Sequence, residues 1–498
     1  MKSKSPRRAI RHAERGQAVV LFLAVIAACC CVFALVYNVG QMTNQKEATI
    51  NAADAAALSG ALVEARMLNF EAYTNRAMVA NEVTIAQLVS LDSFIQYSNE
   101  MFQYIAIYTA PIPYLDDLTQ ALADATQIAQ DIAEPVIAAA VPVVDALVSA
   151  LSGIQSAANG VGALAANEIS DKIAKANETT FDGRDDDPPK LTAGLLAGAM
   201  NEDAWQAFTQ ANDGDGRAAG KGVVLNSRDP FSTNRPNGSF LNTVNDALEL
   251  LGGGISYTVL DKTSGTTTLQ DYDHWIAQDS LDLASGGVQT CFGIPCGYGT
   301  EVDPFSPPLA YGRADADSDG NTDHNLCNAS GFLGAPTVNC QLAQDNAITL
   351  SYNGLPTFRD LAGDLSKTGP CSTNNGSDSP SLPYVMAVQK AGSATLSTQN
   401  LGVNDVPVPG PQGSPDLTDN LQNGGNLTSI SAACVFFFRP DGAANDVTGR
   451  ALARHDAQHE FASLYNPYWQ ARLSTADPKW TATLYAVIGH LGLDQALQ

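Results

Sequence analysis

Residues 18–37, AVVLFLAVIAACCCVFALVY, form an unbroken run of uncharged, almost wholly apolar positions. Such a run is long enough to carry a helix across a hydrocarbon core of about 30 Å. From Gln41 to Tyr108 there is no proline, glycine occurs only at Gly60, and Ala, Leu, Glu and Gln dominate. That composition predicts a membrane helix running on outwards as one long helix, ended by Pro111 and Pro113. Residues 114–176 are again Ala-rich, with Leu115, Leu118, Leu122 and Ala125 at helical spacing. They predict a second helical region antiparallel to the first, kinked or divided at Pro135 and Pro142.

The pattern changes near residue 180. FDGRDDDPPK (181–190) clusters Asp with paired Pro and reads as a loop. Beyond it, helical pieces such as 191–210 alternate with strand candidates at 255–260 (ISYTVL), 383–388 (PYVMAV) and 434–438 (CVFFF). Long Gly-, Asn-, Ser-, Asp- and Pro-rich stretches separate them, notably 286–345 and 400–428. The fold class expected is α+β. Its divisions are a basic tail (1–16), a transmembrane helix (17–40), an Ala-rich helical stalk or bundle (41–178), a linker with helical pieces (179–250) and a loop-rich mixed domain (251–498).

Charge adds an orientation. The formal net charge is −25, which argues against a nucleic-acid partner. The N-terminal tail opposes the trend, with Lys2, Lys4, Arg7, Arg8, Arg11 and Arg15 against Glu14. A basic flank puts the N-terminus in the cytoplasm and the rest, single-pass, in the periplasm or at the cell surface. A cleaved signal peptide would have a shorter apolar region of about 7–15 residues and a small-x-small site; Tyr37-Asn38-Val39-Gly40 offers none. Cys29, Cys30 and Cys31 fall inside the span. Cys291, Cys296, Cys327, Cys340, Cys371 and Cys434 are an even set in an exported, loop-rich region, which predicts disulfides. Cys291–Cys296 and Cys327–Cys340 are the plausible local pairs, and the spacing of a zinc site is missing.

Arg15-Gly16-Gln17 precedes the apolar run, Asn38-x-Gly40 closes it, and NAADAAALSGA (51–61) follows a polar stretch. In this order and spacing the segment resembles the TadE/TadG-like N-terminal region of tight-adherence, Flp-type pilus-assembly proteins. The resemblance implies a single-pass inner-membrane protein working with a pilus or secretion apparatus, without enzyme activity. Two departures stand out. Prepilins of the type IV kind carry glutamate at the fifth residue after a cleaved glycine, where this chain has Leu21. The metal site of a von Willebrand A domain has its nearest echo in Asp364-Leu365-Ser366-Lys367-Thr368, which follows FRDLAG rather than an apolar strand.

The small residues after the span form two ladders, Ala48-Ala52-Ala56-Gly60 and Ala53-Ala57-Ala61-Ala65. Side chains four apart stack along a helix, so each ladder is a shallow groove admitting a close neighbour. The expected occupant is the chain's own second helical region or a pilus-assembly partner. HDAQHE (455–460) sets His455 and His459 four apart, a weak zinc candidate with Asp456 where a zinc protease has glutamate. DADSDGNTD (315–323) offers Asp315, Asp317, Asp319, Asn321 and Asp323 as a calcium loop, with Leu326 where an EF-hand needs glutamate. Phosphate-loop, dinucleotide and nucleophile-elbow motifs do not occur. The expectation is a membrane-anchored structural component of Flp-type pilus assembly, with no cofactor unless calcium binds. A pilus-anchored adhesin is the alternative, and an anchored metallohydrolase using His455 and His459 a more remote one.

Overall fold

The computed structural model describes residues 17–111, 115–178, 192–212, 216–236, 238, 241–242, 245–246, 256–291, 294–302, 306–318, 336–362, 380–391, 402–403, 406–407, 426–439, 460–475, 482 and 484. Helix α1 runs without interruption from Gln17 to Thr109, 93 residues and about 140 Å at 1.5 Å per residue. It stops ahead of Pro111, with the Thr109 hydroxyl turned back onto the Ile105 carbonyl at 2.8 Å. Helix α2 (Leu115–Glu178) returns antiparallel along it, opening on Asp116 and Asp117 and closing with Lys175, as the helix dipole favours. Paired contacts fix the register at both ends: Thr109 meets Thr119, and Ser170 donates to the Ala56 carbonyl.

Pro135 and Pro142 do not divide α2. Each removes one intrahelical hydrogen bond, but Ile137, Val141 and Val148 are buried with Ile85, Ala86 and Val89 of α1, and this packing keeps the helix continuous.

Helices α3 (Thr192–Phe208), α4 (Arg217–Asn226), α5 (Pro230–Thr233) and α6 (Val338–Asp345) are shorter. Asp229 caps α5 by accepting from the Ser232 N–H, and Thr337 caps α6 in the same way through Cys340. Strand β1 (Thr209–Asn212) pairs with β7 (Phe358–Leu361). Strands β2 (Ser256–Gln270), β3 (His274–Cys291), β4 (Ile294–Val302), β5 (Ala310–Asp317) and β6 (Ile348–Ser351) form a five-stranded sheet. Strand β3 pairs with β2 along one edge, and with β5 and then β4 along the other; only β5–β6 is parallel. Strand β8 (Ser381–Ala391), β11 (Asn426–Phe437) and β12 (Trp469–Ser474) form an antiparallel sheet in the order β12-β11-β8. Strands β9 (Gly402–Val403) and β10 (Val406–Pro407) make a separate short pair. The three segments expected as strands all lie in, or overlap, β2, β8 and β11.

The long helix differs from a free-standing stalk. From Ala52 to Met101 one side of α1 is buried under both sheets, so helix and strands share one core. The physical reason lies in its alanines: a helix face that small stays shallow until bulky side chains from elsewhere fill it, and β8 and β11 supply them. Towards the N-terminus this burial ceases, and every position from Ala18 to Phe33 is exposed.

Candidate functional site

At 100° per residue, Ala53, Ala57, Gly60, Glu64, Glu71, Asn75, Glu82 and Ser93 lie within about 60° of one another around α1. All are buried. One face of the helix is thus small-residued just outside the apolar span and polar further on, and this face organises the molecule.

In the first part, Ala53, Ala56, Ala57, Ala61 and Ala65 pack with Ala163, Ala166 and Ala174 of α2 and with Leu382, Tyr384, Ala433 and Val435 of the three-stranded sheet. Gly60 is needed here. A Cβ added to it would sit 2.2 Å from Tyr384 Cζ and 2.3 Å from Ser170 Oγ. The Tyr384 hydroxyl lies 2.7 Å from Ser170 Oγ and donates to Asn167 Oδ1 at 3.0 Å, so the ring is fixed across the glycine. Asp54 accepts from Ser431, and nearer the membrane span Gln45 accepts from Lys390 Nζ at 2.7 Å.

In the second part polar groups replace the small ones. Neither carboxyl oxygen of Glu64 has a partner among the described residues, and burial pushes its pKa well above the ordinary value. Glu71 accepts from Asn159 at 2.6 Å; burial raises its pKa to about 7, against that hydrogen bond and the charge of Arg359. Asn75 donates to the Arg359 and Leu464 carbonyls at 2.7 and 2.6 Å, and its own carbonyl accepts from Gln155. Asn69, on another side of α1, holds both backbone groups of Trp469 at 2.9 Å. This gives the segment 464–473 a physical role: its turn and strand are fastened to α1 by two asparagines. Glu82 accepts from Trp275 Nε1 at 3.1 Å and the Tyr352 hydroxyl at 2.9 Å, and burial raises its pKa to about 7.

At the far end Ser93 donates to Asp279 Oδ2 at 2.7 Å. The same carboxylate receives Arg235 and Lys262, at 2.9 and 2.7 Å, with all three side chains buried. Strand β5 crosses here in backbone contact: a Cβ on Gly312 would meet the Ser93 carbonyl oxygen at 2.1 Å.

Of the sequence candidates, Ala52, Ala53, Ala56, Ala57, Gly60 and Ala61 are buried and Ala48 is exposed. The surface they form is covered by this chain's own α2 and sheet. Asp315 and Asp317 lie on strand β5, both buried. Asp315 takes the Arg313 guanidinium at 2.7–2.9 Å, and both carboxylates face His274. Burial opposes charge on His274, but the hydrogen bond to Asp315 and the two negative charges outweigh it and raise its pKa. Asp319, Asn321, Asp323, His455, His459 and residues 364–368 lie outside the described residues. No group of three or more His, Cys, Asp or Glu side chains is placed to hold a metal among the described residues. Cys340 and Cys434 are buried. Cys29, Cys30 and Cys31 are free and exposed on α1.

The polar face was absent from the sequence reading. Its signal was there: Glu64, Glu71 and Glu82 recur at seven and eleven residues, both close to whole turns of a helix. Charges at that spacing mark a face as surely as leucines do.

Residues 16–63 match the family model for putative Flp pilus-assembly TadE/G-like proteins. The N-terminal segment is TadE/G-like. The match takes in the apolar span and the small-residue part of the face, and it stops at Val63, one residue before the first buried carboxylate. No curated protein and no solved structure matches the chain.

Proposed function

We propose that the protein is a single-pass, membrane-anchored structural component of an Flp-type pilus-assembly or secretion apparatus. The supporting observation is continuity. The TadE/G-like segment begins as a fully exposed apolar helix and ends, without a break, inside the core of the distal fold. The apolar part suits a bilayer, and the basic tail before it places the N-terminus in the cytoplasm with residues beyond 41 in the periplasm or at the surface. The role is that of a scaffold or minor-pilin-like element, acting through packing rather than catalysis. The periplasmic disulfides are three, drawn from Cys291, Cys296, Cys327, Cys340, Cys371 and Cys434.

Deletion of the gene and complementation test this reading. Loss of Flp-type filaments in electron micrographs is expected, restored by the wild-type chain and not by one whose residues 18–37 are replaced with a cleavable leader. Normal filaments in the deletion strain would overturn it.

A further inference from the structure

The outward side of α2 is apolar over most of its length. Positions 118, 122, 125, 129, 132, 136, 139, 143, 146 and 150 are all Leu, Ile, Val or Ala, spaced alternately by four and three. After one four-residue step the pattern resumes at 154, 157, 161 and 164. This is the heptad seam of a coiled coil, with one stutter. Every one of these residues is exposed, Ile132 at 64% and Val143 at 70%, while the opposite side of α2 is buried on α1. The large side chains leave on the order of 1,000 Å² of apolar surface, above the largest patch usual on a monomer and enough for a stable interface.

Two features point to a helix as occupant. Gly153 and Gly160 lie beside the seam and have no heavy atom within 4 Å of an added Cβ. Each weakens α2 by about 1 kcal/mol relative to alanine, and the chain's own packing does not call for either. A second backbone pressed against that side does. The seam also carries no charge. Asp116, Asp117, Asp124, Asp131, Glu134 and Asp145 are the charged residues between 115 and 165; none occupies a seam position or the e and g positions that border a coiled-coil interface, and Asp117, Asp124, Asp131 and Asp145 fall at position c. For a chain of net charge −25, a seam free of carboxylates is what self-pairing requires.

We propose that a second copy of this chain covers the α2 seam in a parallel coiled coil. The direction rests on the membrane-anchored reading. Two copies held in one membrane by α1 have their α2 helices running the same way, related by a two-fold axis along the membrane normal. Because α2 lies along α1, its seam stands away from the bilayer, so lipid does not cover it.

The test uses full-length chains carrying two different tags, co-expressed, with benzoylphenylalanine at Val143 in each. Irradiation of membranes is expected to give a doubly tagged product of twice 52.2 kDa, linked within a turn of residue 143 of the other copy. The same probe at Asp131, off the seam, should give at least ten-fold less. Ile132→Glu with Val143→Glu, read by a probe at Val136, should cut the product at least ten-fold without changing thermal unfolding, because both sites are exposed. A membrane-bound chain that yields no doubly tagged product, or links instead to lipid or to a different polypeptide, overturns the pairing alone. A chain missing from the membrane pellet overturns the anchoring, and the parallel arrangement with it.

Discussion

Glu82→Gln tests whether the buried polar face titrates. Glu82 Oε2 accepts from Trp275 and Tyr352, while Oε1 is buried with no partner among the described residues. Burial raises the pKa from 4.5 to about 7, the two hydrogen bonds oppose the rise, and Asp145 adds to it. The native state therefore keeps its proton up to about pH 7, whereas the unfolded chain releases it near 4.5. Between those limits the native state binds more protons, so stability falls as pH rises. The loss amounts to about 3 kcal/mol, at about 1.4 kcal/mol per tenfold change in proton affinity. Glutamine has the shape of the protonated acid and does not titrate. It leaves one buried amide donor short of a partner, at a cost of about 1–3 kcal/mol.

Urea unfolding of the full chain in detergent, followed by tryptophan fluorescence, measures the difference between wild type and variant at each pH. At pH 4.5 the variant should be the less stable. Its relative stability should climb by about 3 kcal/mol towards pH 8 and then level off. Comparing the two proteins cancels the other carboxylates, because Glu71 and Asp92, also raised to about 7, are common to both. A difference that stays flat from pH 4.5 to 8 would show that Glu82 has the same proton affinity folded and unfolded, and the desolvation argument would fail.

Gly60→Ala should destabilise by about 1–3 kcal/mol in thermal unfolding, since Tyr384 and Ser170 already occupy the space. Tyr384→Leu added to it should recover part of that loss. Ala56→Leu with Ala57→Leu should disrupt the shared core while leaving the chain in the carbonate-resistant membrane fraction, because both residues are fully buried and lie beyond the apolar span. Asn69→Ala leaves both backbone groups of Trp469 unpaired, and Asn75→Ala leaves the Leu464 and Arg359 carbonyls unpaired. Each should cost about 1–3 kcal/mol and speed limited proteolysis between residues 460 and 475; an unchanged cleavage rate would count against the fastening.

The helical half was legible in the sequence, because its signals are local. The apolar run, the absence of proline from Gln41 to Tyr108 and the break at Pro111 suffice to place α1. Pro135 and Pro142 do not divide the second helix, because the decisive term is packing on α1, a partner far away in the chain. The small-residue face was legible as a face but not as to what covers it. Tyr384 meets Gly60 from more than three hundred residues away, and no periodicity encodes that pairing. The same limit applies to Asp315: alternating acids read as a loop around a cation, yet Arg313 in the same strand and His274 in the neighbouring one stand against them. Residues 315–317 alternate Asp with Ala, and in a strand such alternation sets both carboxylates on one side of the sheet.

Anchor and core belong to the same helix, and that constrains how this protein responds to its surroundings. A tilt or axial shift of the membrane part has no loop to absorb it between Gln17 and Thr109. It reaches the contacts where Gly60 meets Tyr384 and Asn69 holds Trp469, both of which tolerate little displacement. The two sheets are fastened to separate stretches of that helix, the three-stranded one around 53–69 and the five-stranded one around 82–97. Bending α1 between them would move the sheets relative to each other, and the carboxylates at 71 and 82 lie in that interval. Because both release protons near neutrality, charging them weakens the hold of helix on sheet where bending would occur. The distal fold is therefore firmest in mild acid, and the helix that carries it is the element through which any pull on the apolar span would be felt.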